Sequence, residues 1–414
     1  MQKKEMKGKK SIVHITTIDI GGAYKAVNRI VKATNILNDV EADILLRNKC
    51  DESNLGHEFL TNFCTRFISK CRNYINNIFF SQNEIKADRF GCSVENNKIV
   101  RNADIIVIHW INSFLSIKSI KQILDMGKPT IIMLHDMWHI TGGCAYSGEC
   151  EDYLNDCSQC VILKKDGGKC SLAHKALCEK EEAYHNKNVT VVAPGTWIAE
   201  CARQGRVFKN HPVRIIPNCL DIDVFRHYEK KEARNILGIT GDRPVVLYIA
   251  MSAGINNKRK GFDYLVNALS HFEDGSLELV VVGNVDEASM TQINQQKKYL
   301  GYVGDEKRLA LAYSAADITV VPSLQETFCY TSCESLACGT PVVAFKVGGL
   351  IDQIQHMQNG YLADIRNSDD LARGIQYFID NPKDAAIVRE SVLKFGFDNI
   401  AEKWDELFNS ILYN

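Results

Sequence analysis

Short apolar runs of strand type alternate with helix-type segments along all 414 residues, and that order constrains the fold more than anything else in the chain. Such alternation builds parallel sheets with both faces covered by helices. In the first half the predicted strands are 11–17, 42–47, 104–110, 129–135, 189–194 and 213–217, and in the second they are 244–250, 277–283, 298–303, 318–321 and 341–345. One core rarely serves so long a chain. The segment 219–241 is polar, with no sustained apolar periodicity until a short helix near 231–237, and reads as the linker between two α/β domains, 11–218 and 242–396. Residues 397–414 close the chain as an amphipathic helix that spaces Ile400, Trp404, Leu407, Phe408 and Ile411 along one face. Two doubly wound, Rossmann-like domains facing one another leave a cleft between the carboxyl ends of their sheets, where loops gather and ligands bind.

Three segments follow predicted strands at those ends. Gly21 and Gly22 come after the first strand, His135 and Asp136 after the fourth, and Glu326 lies between the strand 318–321 and a helix predicted over 328–338. Gly339 supplies the stop of that helix and Pro341 prevents its continuation. Glu326 therefore sits on the loop leading into the helix, while Glu334 projects from its second turn. The first N–H groups of a helix lack internal partners and its dipole places roughly half a positive charge there, so a diphosphate can rest on that end. Carboxylates touching phosphate would repel it. Their targets are hydroxyls, which donate hydrogen bonds to charged acceptors, and a sugar and a ribose fit that description.

These motifs in this order resemble glycosyltransferase family 4, the retaining enzymes of GT-B fold that use nucleotide-diphosphate sugars, and the resemblance covers nearly the whole chain. It rests on Glu326, seven residues and Glu334, on Gly21-Gly22-Ala23, on Pro217-Asn218 with Asp221, and on Lys260-Gly261 opening a helix. Gly301-Tyr-Val-Gly304, Ala316-Asp317 ahead of Val321-Pro-Ser323, Cys338-Gly-Thr-Pro-Val-Val-Ala344 and Gly348-Gly349 complete it. The family pattern implies that Glu326 contacts hydroxyls of the donor sugar and that Glu334 holds the ribose. Backbone N–H groups of Phe328, Cys329, Tyr330 and Thr331 would meet the diphosphate, with Lys260 offsetting charge on the leaving phosphate. His135 looks like the first-domain histidine that reaches the donor sugar, with His109 the lesser candidate; no covalent nucleophile or catalytic base stands out. The chain departs from the family at Cys329 and Cys219, where glycines are usual. The phosphate-binding arginine some five residues before the lysine also has no counterpart, leaving Arg259 or Lys258 to substitute.

Basic and acidic residues number 49 and 50, so nothing draws the chain as a whole to nucleic acid. The lysine-rich start MQKKEMKGKK leads into a run too short and polar for a signal-peptide core, and no window has the apolar length of a membrane span, so the expectation is a cytoplasmic protein, peripheral at a membrane at most. From 63 to 80, Arg66, Lys70 and Arg72 interleave with Phe67, Ile68, Ile75, Ile78, Phe79 and Phe80. That pattern suits a helix lying on a membrane or a core helix whose basic residues are solvated, and the core helix is the preferred expectation.

Of fifteen cysteines, Cys144, Cys150, Cys157 and Cys160 crowd into a polar insertion near 142–178, with Cys170 and Cys178 beyond. Only the last pair of the four has a zinc-like spacer, and structural zinc, disulfides and unlinked thiols all remain open. A subset of bacterial polysaccharide glycosyltransferases shows a similar run of His-Asp-x-Trp, Thr-Gly and clustered cysteines. Asp221-Ile-Asp223 has the form of a metal-binding aspartate pair but matches family 4 instead, whose members rarely need a divalent ion, so no catalytic cofactor is expected. The expected activity is retaining transfer from a nucleotide-diphosphate sugar to a growing glycan or lipid-linked acceptor, in bacterial capsule, exopolysaccharide or O-antigen synthesis. The alternatives are a nucleotide-sugar epimerase of GT-B fold and a catalytically silent sugar-nucleotide-binding protein.

Overall fold

The computed structural model describes residues 9–60, 63–79, 81–82, 85–164, 171–250, 257–283 and 290–413. The chain divides into two compact units, 1–219 with 397–414 and 220–396.

In the first unit the strands are β1 (Lys10–Ile18), β2 (Val40–Asn48), β3 (His57–Glu58), β4 (Ser81–Gln82), β5 (Ile85–Lys86), β6 (Ile105–Ile108), β7 (Thr130–Met133), β8 (Val189–Ala193) and β9 (Val213–Ile215). Seven of them form one parallel sheet in the order β3-β2-β1-β6-β7-β8-β9, and β4 pairs antiparallel with β5. The helices are α1 (Gly21–Thr34), α2 (Phe63–Phe79), α3 (Lys98–Asn102), α4 (Ile117–Leu124), α5 (Val161–Lys164), α6 (Ser171–Tyr184) and α7 (Thr196–Gln204). Strand β6 reads Ile-Ile-Val-Ile and is buried throughout, as a central parallel strand covered on both faces must be. Its alternate side chains serve two cores. Ile105 and Val107 join α1 on one face, while Ile106 and Ile108 join Ile120 of α4 and Leu177 of α6 on the other.

The second unit holds β10 (Val245–Ala250), β11 (Glu278–Gly283), β12 (Gln296–Gly301), β13 (Ile318–Val321), β14 (Val342–Phe345) and β15 (Gly360–Ala363). They are parallel, in the order β12-β11-β10-β13-β14-β15. Numbered within the unit this is 3-2-1-4-5-6, the doubly wound order in which ligands bind where the winding reverses, between the first and fourth strands. Its helices are α8 (Lys230–Leu237), α9 (Phe262–Leu269), α10 (Glu306–Ala315), α11 (Tyr330–Ala337), α12 (Leu350–Gln353), α13 (Ser368–Asp380) and α14 (Ala385–Glu390).

The closing helix α15 (Phe397–Tyr413) returns to the first unit. It buries Ile400, Trp404, Leu407 and Phe408 against the face that carries α1, and Lys10 at the start of β1 donates to Asp405 at 2.6 Å. Each such buried side chain contributes up to roughly 1.5–3 kcal/mol. The segment read as linker does not hang between the units. From Leu220 onward it packs Phe225, Ala233, Leu237 and Ile239 into the core of the second. Asp221 Oδ1 accepts from the backbone N–H groups of Asp223 and Val224, closing a turn.

The strands missed in the sequence are short or at edges: β3, β4 and β5 have two residues each, and β15 is an edge strand opening on a glycine. The expectation of a core helix at 63–80 fails for the described residues. In α2 the residues turned inward are polar Ser69 and Asn76, and Phe67, Ile68, Tyr74, Ile75 and Ile78 are exposed.

Candidate active site

In the second unit the carboxyl ends of β10 and β13 lie side by side where the winding reverses. The chain after β10 runs through 251–256, outside the described residues, into a single helical turn at Lys258–Lys260. The chain after β13 forms the loop bearing Glu326. Lys260 Nζ lies 2.6 Å from Glu326 Oε1, and Arg259 Nη1 lies 3.3 Å from the same oxygen while donating to Gln325 O at 2.7 Å. Burial works to raise the Glu326 pKa, but the Lys260 and Arg259 charges and the hydrogen bonds from Lys260 and Ser323 outweigh it and hold the carboxyl below its usual value. The group is an anion at neutral pH, matched to two cations.

Glycines fix this loop. Gly261 has φ +67, and a Cβ there would stand 1.9 Å from Pro322 O; Gly348 has φ +48, and a Cβ there would stand 1.9 Å from Glu326 O. Only a residue without a side chain lets the backbone approach so closely. Gly349 N–H then donates to Glu326 O at 2.9 Å, Leu324 N–H donates to Arg259 O at 2.8 Å, and the Gln353 amide donates to Phe328 O. The carboxylate is thus aimed by three backbone segments at once.

Helix α11 starts two residues later than expected, at Tyr330, because Cys329 takes a left-handed conformation, φ +68 and ψ 84, as its N-cap. Here the sequence departs from the usual glycine, and the cysteine adopts the glycine-like backbone regardless. Burial pushes its thiol up to about 12, so it stays protonated. Tyr330 and Thr331 are half-buried at the helix mouth, and Phe328 is packed edge-on against Phe395. Glu334 points into the protein, where Tyr313 Oη donates to its Oε2 at 3.1 Å; the carboxylate is buried.

In the first unit the corresponding reversal lies between β1 and β6. Gly21, at φ +85, and Gly22 open α1 just beyond β1, exposed, with nothing within 4 Å of a Cβ placed on either. In the same unit the structure shows a row of imidazoles that the sequence only half disclosed. His14 Nδ1 and His109 Nε2 are 2.8 Å apart, His109 Nδ1 and His135 Nε2 are 2.8 Å apart, and successive rings stack at 5.1 Å. Burial drives the pKa of His14 to about 3 and of His135 to about 4, and with the neighbouring histidines it holds His109 well below its ordinary value. All three are neutral near pH 7. His14 did carry a signal, a lone polar ring in the apolar run of β1.

The turn after His135 is tied beneath itself. Asp136 Oδ1 accepts from Trp138 N–H at 2.8 Å, and the fully buried Lys180 of α6 donates to Trp138 O and to Thr141 O while its Nζ stands 3.6 Å above the Trp138 ring. Burial pulls the Lys180 amine down to about 7. Cys144, Cys150, Cys157 and Cys160 line one small cavity with Tyr153 and Val161, all four thiols unlinked. Burial pushes the Cys144 thiol up to about 11 and Cys157 up to about 12. Among the described residues no three His, Cys, Asp or Glu side chains are grouped to hold a metal ion; Cys170 lies outside them. No helix of the described residues is long and apolar enough to cross a membrane.

Known proteins resemble this chain in sequence and fold. Residues 229–394 match the family described as glycosyl transferases group 1. An uncharacterized glycosyltransferase of Methanocaldococcus jannaschii is 28% identical over 312 residues, 68% of this chain and 75% of that protein. Other curated relatives match over about half of their own length. Among solved structures, a sucrose-phosphate synthase from Thermosynechococcus elongatus superposes with a TM-score of 0.68 at 20% identity, covering 97% of this chain and 99% of that one. The Anabaena protein HepE in complex with UDP gives 0.64 at 17%, covering 97% and 100%. Fold and matches together define a glycosyltransferase with the two-domain GT-B fold. The match to the glycosyl transferases group 1 family lies within the second unit.

Proposed function

We propose that this protein transfers a sugar, with retention of anomeric configuration, from a nucleotide-diphosphate sugar to a growing glycan or lipid-linked acceptor in the synthesis of a bacterial surface polysaccharide. The observation that carries the proposal is the Lys260–Glu326–Arg259 cluster at the winding reversal of the second sheet, beside the mouth of α11. Two cations and a helix mouth suit a diphosphate, and an anion between them suits sugar hydroxyls. Arg259 takes the place of the arginine missing from the loop upstream, since its guanidinium shares the acceptor that Lys260 uses. That HepE was solved with UDP supports a nucleotide donor by analogy of fold. Glu334 is assigned to the ribose, its carboxylate oriented by Tyr313. His135, neutral, is a hydrogen-bonding partner for hydroxyls rather than a charged group.

Lys260 stabilises charge as it develops on the leaving diphosphate, and one fixed donor of that kind is worth roughly 3–4 kcal/mol. A thermal-shift screen of nucleotide sugars, followed by transfer assays with the stabilising donor, tests the proposal. Lys260→Ala is expected to cost at least about a hundredfold in turnover. An unchanged rate, or no nucleotide sugar that stabilises the parent, would refute it.

A further inference from the structure

We propose that α2 is a docking surface for anionic lipid, laid flat on a membrane with its apolar stripe in the headgroup boundary. The helix is built inside out relative to a core helix. At 100° per residue, Phe67, Cys71, Tyr74 and Ile78 fall on one line, with Ile68 and Ile75 beside it. Phe67 is 58% exposed, Tyr74 68% and Ile78 52%, whereas Asn76 on the opposite side is 2% exposed. Phe90, also exposed, borders the helix through its backbone.

Polar bonds fasten the inward side of the described residues. Asn76 Nδ2 donates to Phe90 O at 2.7 Å and Asn76 Oδ1 accepts from Phe90 N–H at 3.0 Å; Arg72 donates to Gly91 O at 3.1 Å. At the other end Arg66 donates to Leu60 O at 2.8 Å and grips both oxygens of Glu58. A seam of this kind keeps the apolar stripe outward.

Charge selects the occupant. The helix carries Arg66, Lys70 and Arg72 and no acidic residue. Arg66 and Lys70 rim one edge of the stripe and Arg72 the other; with Arg66 paired to Glu58, Lys70 and Arg72 are the cations that flank the apolar line, one on each side. A second copy placed stripe to stripe would set like charges against one another. Anionic headgroups complement them, and an exposed tyrosine at the boundary is what an amphipathic ring favours there. A lipid-linked acceptor would be met at the same surface, but the inference stands on the helix alone.

Flotation of the full chain with phosphatidylcholine vesicles, and with vesicles of phosphatidylcholine and phosphatidylglycerol, tests it. The expected result is flotation with the anionic vesicles, less with the neutral ones, weakened by high salt. Phe67→Ser/Tyr74→Ser/Ile78→Ser should lower partitioning at least about tenfold and leave nucleotide-induced thermal shifts unchanged. Lys70→Glu, at a side chain that anchors the helix to no other described residue, should reduce the preference for anionic vesicles. A parent that stays in solution with both vesicles, or a triple variant that floats like the parent, overturns the proposal. So does a dimer in sedimentation that the triple variant abolishes, because the stripe would then belong to a second copy. Failure of nucleotide binding by the parent would instead refute the function proposed above and leave the flotation result standing.

Discussion

Replacing Glu326 by glutamine should tighten the binding of a nucleoside diphosphate while it slows transfer. Glu326 Oε1 holds Lys260 at 2.6 Å and Arg259 at 3.3 Å, so the cations offered to a diphosphate are partly neutralised. The bound diphosphate must also sit near a buried carboxylate that the same two cations keep ionised. Two unit charges about 6 Å apart at an effective dielectric of about 20 repel by roughly 3 kcal/mol, and solvent in the open site reduces that to the order of 1–2 kcal/mol. Glu326→Gln removes this repulsion and releases both cations, so the dissociation constant should fall about tenfold. Glutamine keeps the shape and leaves the bond from Arg259 to Gln325 O in place, so folding should be preserved. It accepts hydroxyl hydrogen bonds more weakly than a carboxylate does, so transfer should drop by about a hundredfold even at saturating donor. Calorimetric titration with whichever of UDP, GDP or ADP the parent binds, beside a transfer assay, reads both effects. If the variant binds the diphosphate more weakly than the parent, the idea that Glu326 competes for Lys260 and Arg259 is wrong.

Two further outcomes follow from the backbone and from the buried rings. Cys329 at φ +68 should tolerate glycine with an unchanged melting temperature within a few degrees, whereas Cys329→Val, branched at Cβ, should lower the melting temperature of the second unit by about 5 °C; calorimetry showing valine tolerated as well as glycine would refute the strain. Acid should destabilise the first unit: the unfolded chain takes up protons on histidine below about 6.5 while folded His135 resists to about 4, so stability present above 6.5 is lost as pH falls through that window, by up to about 3 kcal/mol for this ring. Melting temperatures of the parent that stay flat between about pH 7 and pH 5 would contradict the burial of these imidazoles.

The parallel sheets were legible because most of the longer strands are short apolar runs bounded by polar or turn-forming residues, which period and length identify. The loop of Glu326 was legible because its helix mouth and two carboxylates lie close together in the chain, although Gly261 and Gly348, which fix its backbone, come from distant positions. Two-residue strands such as β3 carry too little pattern to be seen, and β15 pairs on only one side. The failure at α2 has a different cause. Amphipathic periodicity gives the direction of the apolar face relative to the helix, and nothing in the period says whether that face meets a core or a membrane. The bonds from Asn76 to Phe90 and from Arg72 to Gly91 turn that face outward, and they join residues that no local pattern connects. The imidazole row was hidden in the same way, its three members standing 95 and 26 positions apart.

That row bears on what His135 can do. A proton that left His135 along this row would pass through His109 to His14, leaving an imidazolium at the far end. His14 is fully buried, its Nε2 has no partner among the described residues, and burial holds its pKa at about 3. At neutral pH a proton at that end would be uphill by roughly 5 kcal/mol, so the row does not conduct. What it does is lock. Each ring offers one N–H and one lone pair, so fixing the tautomer of one ring fixes all three, and the rings cannot flip singly without breaking a 2.8 Å bond. His135 is therefore presented in one orientation, uncharged, with its Nε2 committed to His109, which suits a group that positions hydroxyls and does not suit a general base.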